Sequence, residues 1–101
     1  MIDFEKVAMQ IISHAGEGKY KVREAVEAYG NGDDTAFQNL MNQAEQEFTQ
    51  AHKAQAEYLQ EQVMSKENTP ILIVHAMDIL MCAMSERDMA AVLISAIKKR
   101  K

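Results

Sequence analysis

Two side chains stand out in the last third of the sequence because their surroundings are apolar. His75 and Asp78 interrupt the stretch from Ile71 to Met84, which otherwise consists of aliphatic residues, methionines and one cysteine. At a spacing of three residues, both side chains project from nearly the same face of a helix. The pair therefore offers one imidazole and one carboxylate on an otherwise apolar helix.

The imidazole of His75 is compatible with three roles. A structural histidine would form a hydrogen bond with the backbone or with a carboxylate. A metal ligand would need further His or Cys at helical spacing, and the sequence holds neither a histidine cluster nor an HExxH motif. A nucleophile would use the neutral ring nitrogen that an ordinary imidazole offers near pH 7. Residue types alone favour the structural role over the nucleophile.

The carboxylate of Asp78 raises a second question, because a buried and unpaired carboxylate is very costly. If this helix meets copies of itself, identical carboxylates converge and the cost grows. A hard cation such as Mg²⁺, bound by oxygen ligands from several subunits, would relieve it. Pairing with a nearby Lys, Arg or His is the alternative, and on chemistry alone the two explanations have equal weight.

Four further polar or sulfur side chains are weaker candidates for chemistry. His52 and Gln55 lie in or beside an apolar helical stripe, which predicts an interhelical hydrogen bond that fixes register. Cys82 follows His75 by two helical turns, and a lone cysteine among Leu, Met and Ala is typically a buried apolar side chain. His14 is interpreted as structural.

The elements that position these side chains are predicted to be three helices. The segment Gly30-Asn31-Gly32-Asp33-Asp34 combines a glycine helix stop with an aspartate N-cap. Thr69 can cap the next helix, with Pro70 in its first turn. The predicted helical segments are 3–29, 34–64 and 70–98.

Apolar residues recur at steps of three and four in all three segments, as expected for helices. A strand over 71–74 would have no partner, so that alternative is discounted. The sequence predicts a single all-α domain over residues 1–101, folded as an up-down-up, antiparallel three-helix bundle. The apolar positions are Phe4, Val7, Ile11, Ala15, Val22, Val26 and Tyr29; Phe37, Met41, Ala44, Phe48, Ala51, Tyr58 and Leu59; and Met77, Leu80, Met84 and Ala91.

The third predicted helix also indicates self-association. Between Ile71 and Met84 it is apolar all round, apart from His75 and Asp78. Such a helix is normally buried on every side. A bundle of this size cannot surround it, so we expect the outer side of this helix to pack against copies of itself.

Composition and charge narrow the class of protein. The sequence has 11 basic and 15 acidic residues, and four of the basic ones are Lys98–Lys101, so residues 1–97 carry a net charge of −8. An acidic body argues against nucleic-acid binding. The basic run is interpreted as a frayed, solubilising helix end, with contact to an acidic partner or a membrane as the alternative.

The single cysteine excludes an internal disulfide and a CxxC metal site. The first ten residues do not resemble a signal peptide, and the longest apolar stretch is shorter than the roughly 20 residues needed to cross a bilayer. We therefore expect a soluble, cytoplasmic protein without direct membrane insertion.

Three stretches resemble the lactose/cellobiose-type enzyme IIA of the bacterial sugar phosphotransferase system, most closely its cellobiose-specific branch. The resemblance covers nearly the whole chain, in order. The matching stretches are Ile11-Ile12 with Ala15-Gly16-Glu17, Ala51-His52-Lys53-Ala54-Gln55, and Val74-His75-Ala76-Met77-Asp78-Ile79-Leu80-Met81, which is preceded by Pro70-Ile71-Leu72 and followed by Ser85-Glu86-Arg87-Asp88.

The resemblance implies a homotrimer of three-helix subunits that carries phosphoryl groups. The family's histidine, matched by His75, accepts the group on Nε2 from the phosphocarrier HPr. It passes the group to a cysteine of enzyme IIB while a β-linked disaccharide such as cellobiose is imported. The family's aspartate, matched by Asp78, meets its two symmetry mates around a metal ion, for which Mg²⁺ is the expected cofactor.

The sequence departs from the family within this motif. The family commonly reads His-Ala-Gln-Asp-His, whereas this chain has Met77 and Ile79 in place of the Gln and the second His. If either lost group stabilised the transferred phosphoryl group, its absence would cost on the order of 1–3 kcal/mol. Two functions therefore remain open: an active phosphocarrier, and a regulatory or non-catalytic trimeric module that transfers phosphate poorly.

Overall fold

The structure, a computed structural model, describes residues 3–65 and 68–100. For residues 63–65 it describes the backbone and not the side chains. It consists of α1 (Phe4–Gly30), α2 (Asp34–Ser65) and α3 (Ile71–Arg100). Within the described residues there is no strand. The predicted all-α fold is confirmed, and each predicted helical segment agrees with its helix to within two residues.

Short polar links separate the helices, as the sequence predicts. The Asp3 carboxylate accepts hydrogen bonds from the backbone N–H groups of Glu5 and Lys6, and the Asp33 carboxylate accepts one from Ala36 at 3.0 Å. The glycine stop after α1 is Gly32, whose φ of +82° is accessible to glycine without strain. The Asp3 and Asp33 carboxylates satisfy N–H groups that the N-termini of α1 and α2 would otherwise leave unpaired.

The start of α3 differs by one residue from the prediction. The helix begins at Ile71, and the carbonyl of Pro70 accepts hydrogen bonds from the N–H groups of Ile73 and Val74. Pro70 therefore occupies the N-cap position that the sequence assigned to Thr69. The φ angle of a proline ring suits this position, and its missing N–H would have had no partner there.

The core lies along the whole length of the bundle, and α1 is its central element. Helix α1 packs closely against both other helices, whereas α2 and α3 approach each other at few points. A small second cluster of Ala25, Phe37 and Ile94 closes the end where α1 joins α2. The main cluster consists of Val7, Ala8, Ile11, Ala15, Val22, Ala44, Phe48, Ala51, Ala54, Tyr58, Ile73, Ala76, Leu80 and Ala83.

Most residues of the predicted stripes are buried, but three large ones are not. Phe4, Val26 and Leu59 are exposed. Phe4 is the first residue of α1, Val26 lines an open groove between α1 and α3, and Leu59 lies beside the buried Tyr58 at the edge of the stripe. Periodicity identifies a stripe correctly but does not show where the neighbouring helix stops covering it.

Charged side chains connect the three helices at mid-length. Arg87 on α3 donates to Glu45 on α2 at 2.8 Å, and its guanidinium lies over the buried ring of Phe48, 5.3 Å from the ring centroid. Glu86, the residue before it, pairs with Lys19 and Arg23 on α1 at 3.3 Å each. These contacts fix the register of α3 against both neighbours.

Gly18 allows the ring of Phe48 on α2 to approach the backbone of α1 closely. The helix continues through this glycine without a break, and a Cβ atom at this position would lie far inside van der Waals contact of Cε1 of Phe48. Phe48 is fully buried, so its ring cannot move aside easily. The absence of a side chain at Gly18 therefore makes room for the fully buried ring of Phe48.

We expect Gly18→Ala to lower the free energy of unfolding by about 1–3 kcal/mol, because the added methyl group overpacks the core. Gly16→Ala is the matched control, since nothing lies within 4 Å of the Cβ position there. The control should raise stability by about 0.5–1 kcal/mol through the helix propensity of alanine. Urea unfolding followed by circular dichroism measures both, and equal effects would contradict the proposed contact.

None of the helices in the described part of the chain is long and apolar enough to cross a membrane.

Candidate functional site

Helix α3 carries two opposite rows of residues, each with the alternating three- and four-residue steps of a heptad repeat. The first row, which we call the core seam, faces α1 and α2 and consists of Ile73, Ala76, Leu80, Ala83, Arg87, Ala90 and Ile94, all buried or half-buried. The second row, which we call the outer seam, is exposed throughout and consists of Ile71, His75, Asp78, Cys82, Ser85, Met89, Val92 and Ala96.

His75 and Asp78 both lie on the outer seam, about one to two helical turns from the start of α3. Within the described residues neither forms a hydrogen bond or an ion pair. The structural role that residue types favoured for His75, a hydrogen-bonded core histidine, is therefore wrong for the single chain. Its imidazole remains available to a group that approaches from outside.

Large apolar side chains surround this pair. Ile71 is 85% exposed, Val74 46% and Met81 68%. Farther along α3, an apolar groove of about 750 Å³ lies between α1 and α3 and is lined by Val26, Met89, Leu93 and Ile97 among others. Exposed apolar surface of this extent is typical of an interaction face. The outer face of α3 thus matches the expectation that this helix is incompletely covered in one chain.

A metal ion would need ligands beyond those of one chain. Within the described residues no group of three or more His, Cys, Asp or Glu side chains could hold one. Asp78 contributes a single exposed carboxylate, whereas Mg²⁺ takes six oxygen ligands. The residues fit a cation only if copies of the Asp78 carboxylate meet, with water completing the shell.

The other two histidines are held by side chains of the same chain. Nδ1 of His14 lies 2.8 Å from Oε1 of Glu47, which confirms the structural interpretation of His14. Nε2 of His52 lies 3.1 Å from Sδ of Met84 on α3. This contact joins two helices as predicted, but His52 is exposed rather than buried, and Gln55 is half-buried.

Cys82 is exposed, so the prediction of a buried apolar side chain is wrong. Its position explains the error, because it belongs to the outer seam and not to the core seam. The sequence around it is apolar on both faces of α3. Composition alone could not distinguish the covered face from the uncovered one.

Met77 and Ile79 occupy the edge of the core. Both are half-buried and pack against the main apolar cluster. A Gln or a His at these positions would be partly desolvated and would need hydrogen-bond partners. The two departures from the family pattern therefore suit the packing of this chain, and they remove polar groups from the residues that flank His75 and Asp78.

Arg87 has a structural role at this helix that its sequence position did not reveal. Its side chain is 18% exposed and lies on the core seam, between Ala83 and Ala90. A cation at an apolar position of a helical repeat was the available signal. A long arginine stem can cover apolar surface while its head group reaches an acidic partner, here Glu45.

Together, the fold and the site define an all-α three-helix subunit with a free histidine and an aspartate on an exposed helix face. The sequence profile described as "PTS system, Lactose/Cellobiose specific IIA subunit" matches residues 6–98. The chain belongs to this family. It is a sugar-specific component of a phosphotransferase system, with a phosphocarrier role in sugar uptake.

Curated relatives agree with this family. The lichenan-specific phosphotransferase enzyme IIA component of Bacillus subtilis (strain 168) is 36% identical over 96% of this chain and 89% of its own length. The N,N'-diacetylchitobiose-specific EIIA component of Escherichia coli (strain K12) is 27% identical over 98% of this chain and 86% of its own.

Two solved structures share the fold. The cellobiose-specific enzyme IIA from Bacillus anthracis superposes with a TM-score of 0.87 at 27% identity, covering 98% of this chain and 92% of its own. PtcA from S. mutans superposes with a TM-score of 0.85 at 31% identity, covering 97% of this chain and 99% of its own.

Proposed function

We propose that this chain is a cytoplasmic phosphocarrier that accepts a phosphoryl group from HPr on His75 and passes it to a cysteine of enzyme IIB. The imported sugar is a β-linked disaccharide such as cellobiose. The observation that carries the proposal is the exposed imidazole of His75, which no side chain of the described chain engages. The lactose/cellobiose description of the family and the relatives named for lichenan and N,N'-diacetylchitobiose support the sugar class.

The transfer proceeds in two displacements. The lone pair on Nε2 of His75 attacks the phosphorus carried by the HPr phosphohistidine, a new N–P bond forms, and the old N–P bond breaks with its electron pair returning to the HPr ring. A thiolate of enzyme IIB then attacks the same phosphorus, and His75 recovers its lone pair. Enzymes accelerate such transfers mainly by positioning and by electrostatic stabilisation.

This chain contributes to the transfer by leaving His75 accessible and by binding its partner proteins weakly. His75 lies on the surface of a rigid helix, so partners can reach it without opening the bundle. The net charge of −8 over residues 1–97 favours partners with basic docking surfaces. Electrostatic attraction of this kind accelerates encounter more than it strengthens the complex, which suits a carrier that must release each partner.

The working unit in this proposal is a homotrimer joined along the part of the outer seam from Asp78 to Ala96, so that His75, one turn before this contact, remains open to partners. Heptad spacing with apolar side chains on one face is the pattern of parallel coiled coils. Apolar Met89, Val92 and Ala96 would form layers at one end, and the Asp78 carboxylates would converge at the other. When bound there, Mg²⁺ or a similar divalent cation would neutralise those carboxylates.

Incubation with enzyme I, HPr and phosphoenolpyruvate should add one phosphate per chain, in a bond that is labile in acid. His75→Ala should reduce this labelling to background. His14→Gln and His52→Gln are matched controls, because the structure engages both rings elsewhere, and each should be labelled as the wild type is. Full labelling of His75→Ala would show that the site has been assigned to the wrong residue.

Light scattering at micromolar concentration should give three times the chain mass of 11.4 kDa. Asp78→Leu should retain that mass, lose the bound divalent metal in elemental analysis, and be neutral to about 4 kcal/mol more stable, because apolar side chains often replace buried charge without loss.

Val92→Asp is the matched control for this variant, because it introduces convergent carboxylates into an apolar layer. It should dissociate the assembly. A monomeric wild type, or dissociation of Asp78→Leu itself, would contradict the proposed arrangement.

A second function, a regulatory trimer that transfers phosphate poorly, is supported by Met77 and Ile79. The double variant Met77→Gln, Ile79→His restores the groups common in the family. If those groups stabilise the transferred phosphoryl group, its rate of labelling by HPr should exceed the wild-type rate about tenfold or more.

Circular dichroism should verify that the double variant keeps its helix content, since both positions are half-buried. Wild-type labelling as fast as that of the double variant would reject the regulatory function and leave the carrier role.

A further inference from the structure

Phosphorylation of His75 would place a strongly charged group beside a carboxylate. A phosphoryl group carries about two negative charges near pH 7. Asp78 follows His75 by three residues on the exposed outer seam, and side chains at this helical spacing have Cβ atoms about 5–6 Å apart. Like charges this close repel each other, so the phosphorylated pair would need a counter-charge.

The ion pairs of the subunit leave no basic side chain of α3 close to His75. Between Ile71 and Glu86 this helix has no Lys or Arg. Its first basic residue, Arg87, follows His75 by twelve residues, about 18 Å along the helix, and two carboxylates already engage its guanidinium. Lys19 and Arg23, which α1 directs toward α3, are held by Glu86.

The basic run at the end of α3 is also out of reach. The helix does not fray there, contrary to the interpretation of this run as a frayed end, because α3 continues through Arg100. Nζ of Lys98 lies over the rings of Tyr29 and Phe37, 5.5 and 5.3 Å from their centroids. Lys98 is thus held about 35 Å from His75 along the helix. That separation is several times the Debye length of about 8 Å at physiological ionic strength.

The side chains that surround His75 on α3 offer no neutral hydrogen-bond donor either. Val74 and Met81 are exposed, Met77 and Ile79 are half-buried, and all four are apolar. The N-terminus of α3 offsets only about half a unit charge. Within the described part of this helix, no side chain near His75 can stabilise a phosphoryl dianion as arginine or lysine would.

We propose that Asp78 and phosphorylated His75 bind one divalent cation between them, so that phosphorylation and cation binding promote each other. Mg²⁺ is typically bound by one or two carboxylates together with phosphate oxygens, and it keeps several water ligands. The unphosphorylated pair offers a single carboxylate, and phosphorylation adds the oxygens that complete this set. The inference rests on the proposed function, because it requires a phosphoryl group on His75. One pair suffices, and the proposed trimer would bring three pairs together around one axis.

The coupling between the two sites is reciprocal. If phosphorylation of His75 raises the affinity for the cation by a given factor, saturation with the cation raises the equilibrium constant for phosphorylation by HPr by the same factor. Asp78 then regulates the carrier. With the cation bound, the phosphoryl group stays on His75, and without it the carboxylate of Asp78 favours return of the group to HPr.

The test is Mn²⁺ binding by the full chain before and after phosphorylation with enzyme I, HPr and phosphoenolpyruvate. A chelator and gel filtration at alkaline pH first remove the metal that the labelling reaction needs, and the electron paramagnetic resonance of free Mn²⁺ then reports binding. The phosphorylated chain should bind Mn²⁺ about tenfold more tightly or better, because the added charge lies beside Asp78. Bound Mn²⁺ should also broaden the phosphorus resonance of phosphorylated His75.

Asp78→Asn should remove most of this gain in affinity, because the amide keeps the size of the side chain and loses its charge. Asp88→Asn is the matched control, since Asp88 is an exposed aspartate of the same helix that lies off the outer seam. It should show the wild-type gain. Equal Mn²⁺ affinity before and after phosphorylation of the wild type, or a full gain in Asp78→Asn, would overturn the proposal.

Labelling by HPr separates failure of this proposal from failure of the proposed function. A chain that is labelled without any gain in Mn²⁺ affinity keeps the carrier role and rejects the cation pair. If HPr never labels the chain, the carrier role fails, and His75→Glu decides the cation pair by placing a second carboxylate three residues before Asp78. This variant should bind Mn²⁺ severalfold more tightly than the wild type, and adding Asp78→Asn should remove the difference. No gain in His75→Glu would then reject the pair.

Discussion

The structure depends on one constraint: α3 is apolar on two opposite faces, whereas a three-helix subunit can cover only one of them. The core seam takes the covered position, and the outer seam is left facing solvent. Burial of apolar area at roughly 25 cal/mol per Å² makes such exposure costly for a single chain. This imbalance accounts for the exposed position of His75, for the need of Asp78 for a counter-charge and for the proposed trimer.

The packing of α3 against α1 and α2 explains why its outer seam can carry an unpaired histidine and an unpaired aspartate. Small alanines line the contacts of α1, α2 and α3, and Gly18 admits the ring of Phe48. Arg87 and Glu86 then fix the register of α3 through ion pairs to both neighbours. Because these contacts hold α3 from the side of the core, neither His75 nor Asp78 is needed for the fold of the subunit. In the proposed function His75 is then available to partner proteins and Asp78 to the neighbouring subunits.

Much of this arrangement could be predicted from the sequence because its local signals are strong. Every helix was located to within two residues. The signals were the Gly-Asp link after α1, the cap-and-proline pattern before α3 and the helical spacing of apolar residues in all three segments. His75 and Asp78 were identifiable as the polar residues of an apolar stretch. The exposure of Cys82 and the half-burial of Ile79 were not predictable, since a helix that is apolar all round gives no signal for which face meets its neighbours.

The outer seam has an evolutionary consequence. In the proposed trimer each residue of the outer seam from Asp78 to Ala96 meets its own copies at the same height, so a single codon change alters three side chains of one layer at once. A substitution that adds one charge adds three, and one that removes a methyl group opens three voids around one axis. A substitution on this face therefore changes the stability of the trimer more than a similar substitution in the core of a subunit changes the stability of that subunit. In the core, a changed residue meets different neighbours that can adjust one at a time.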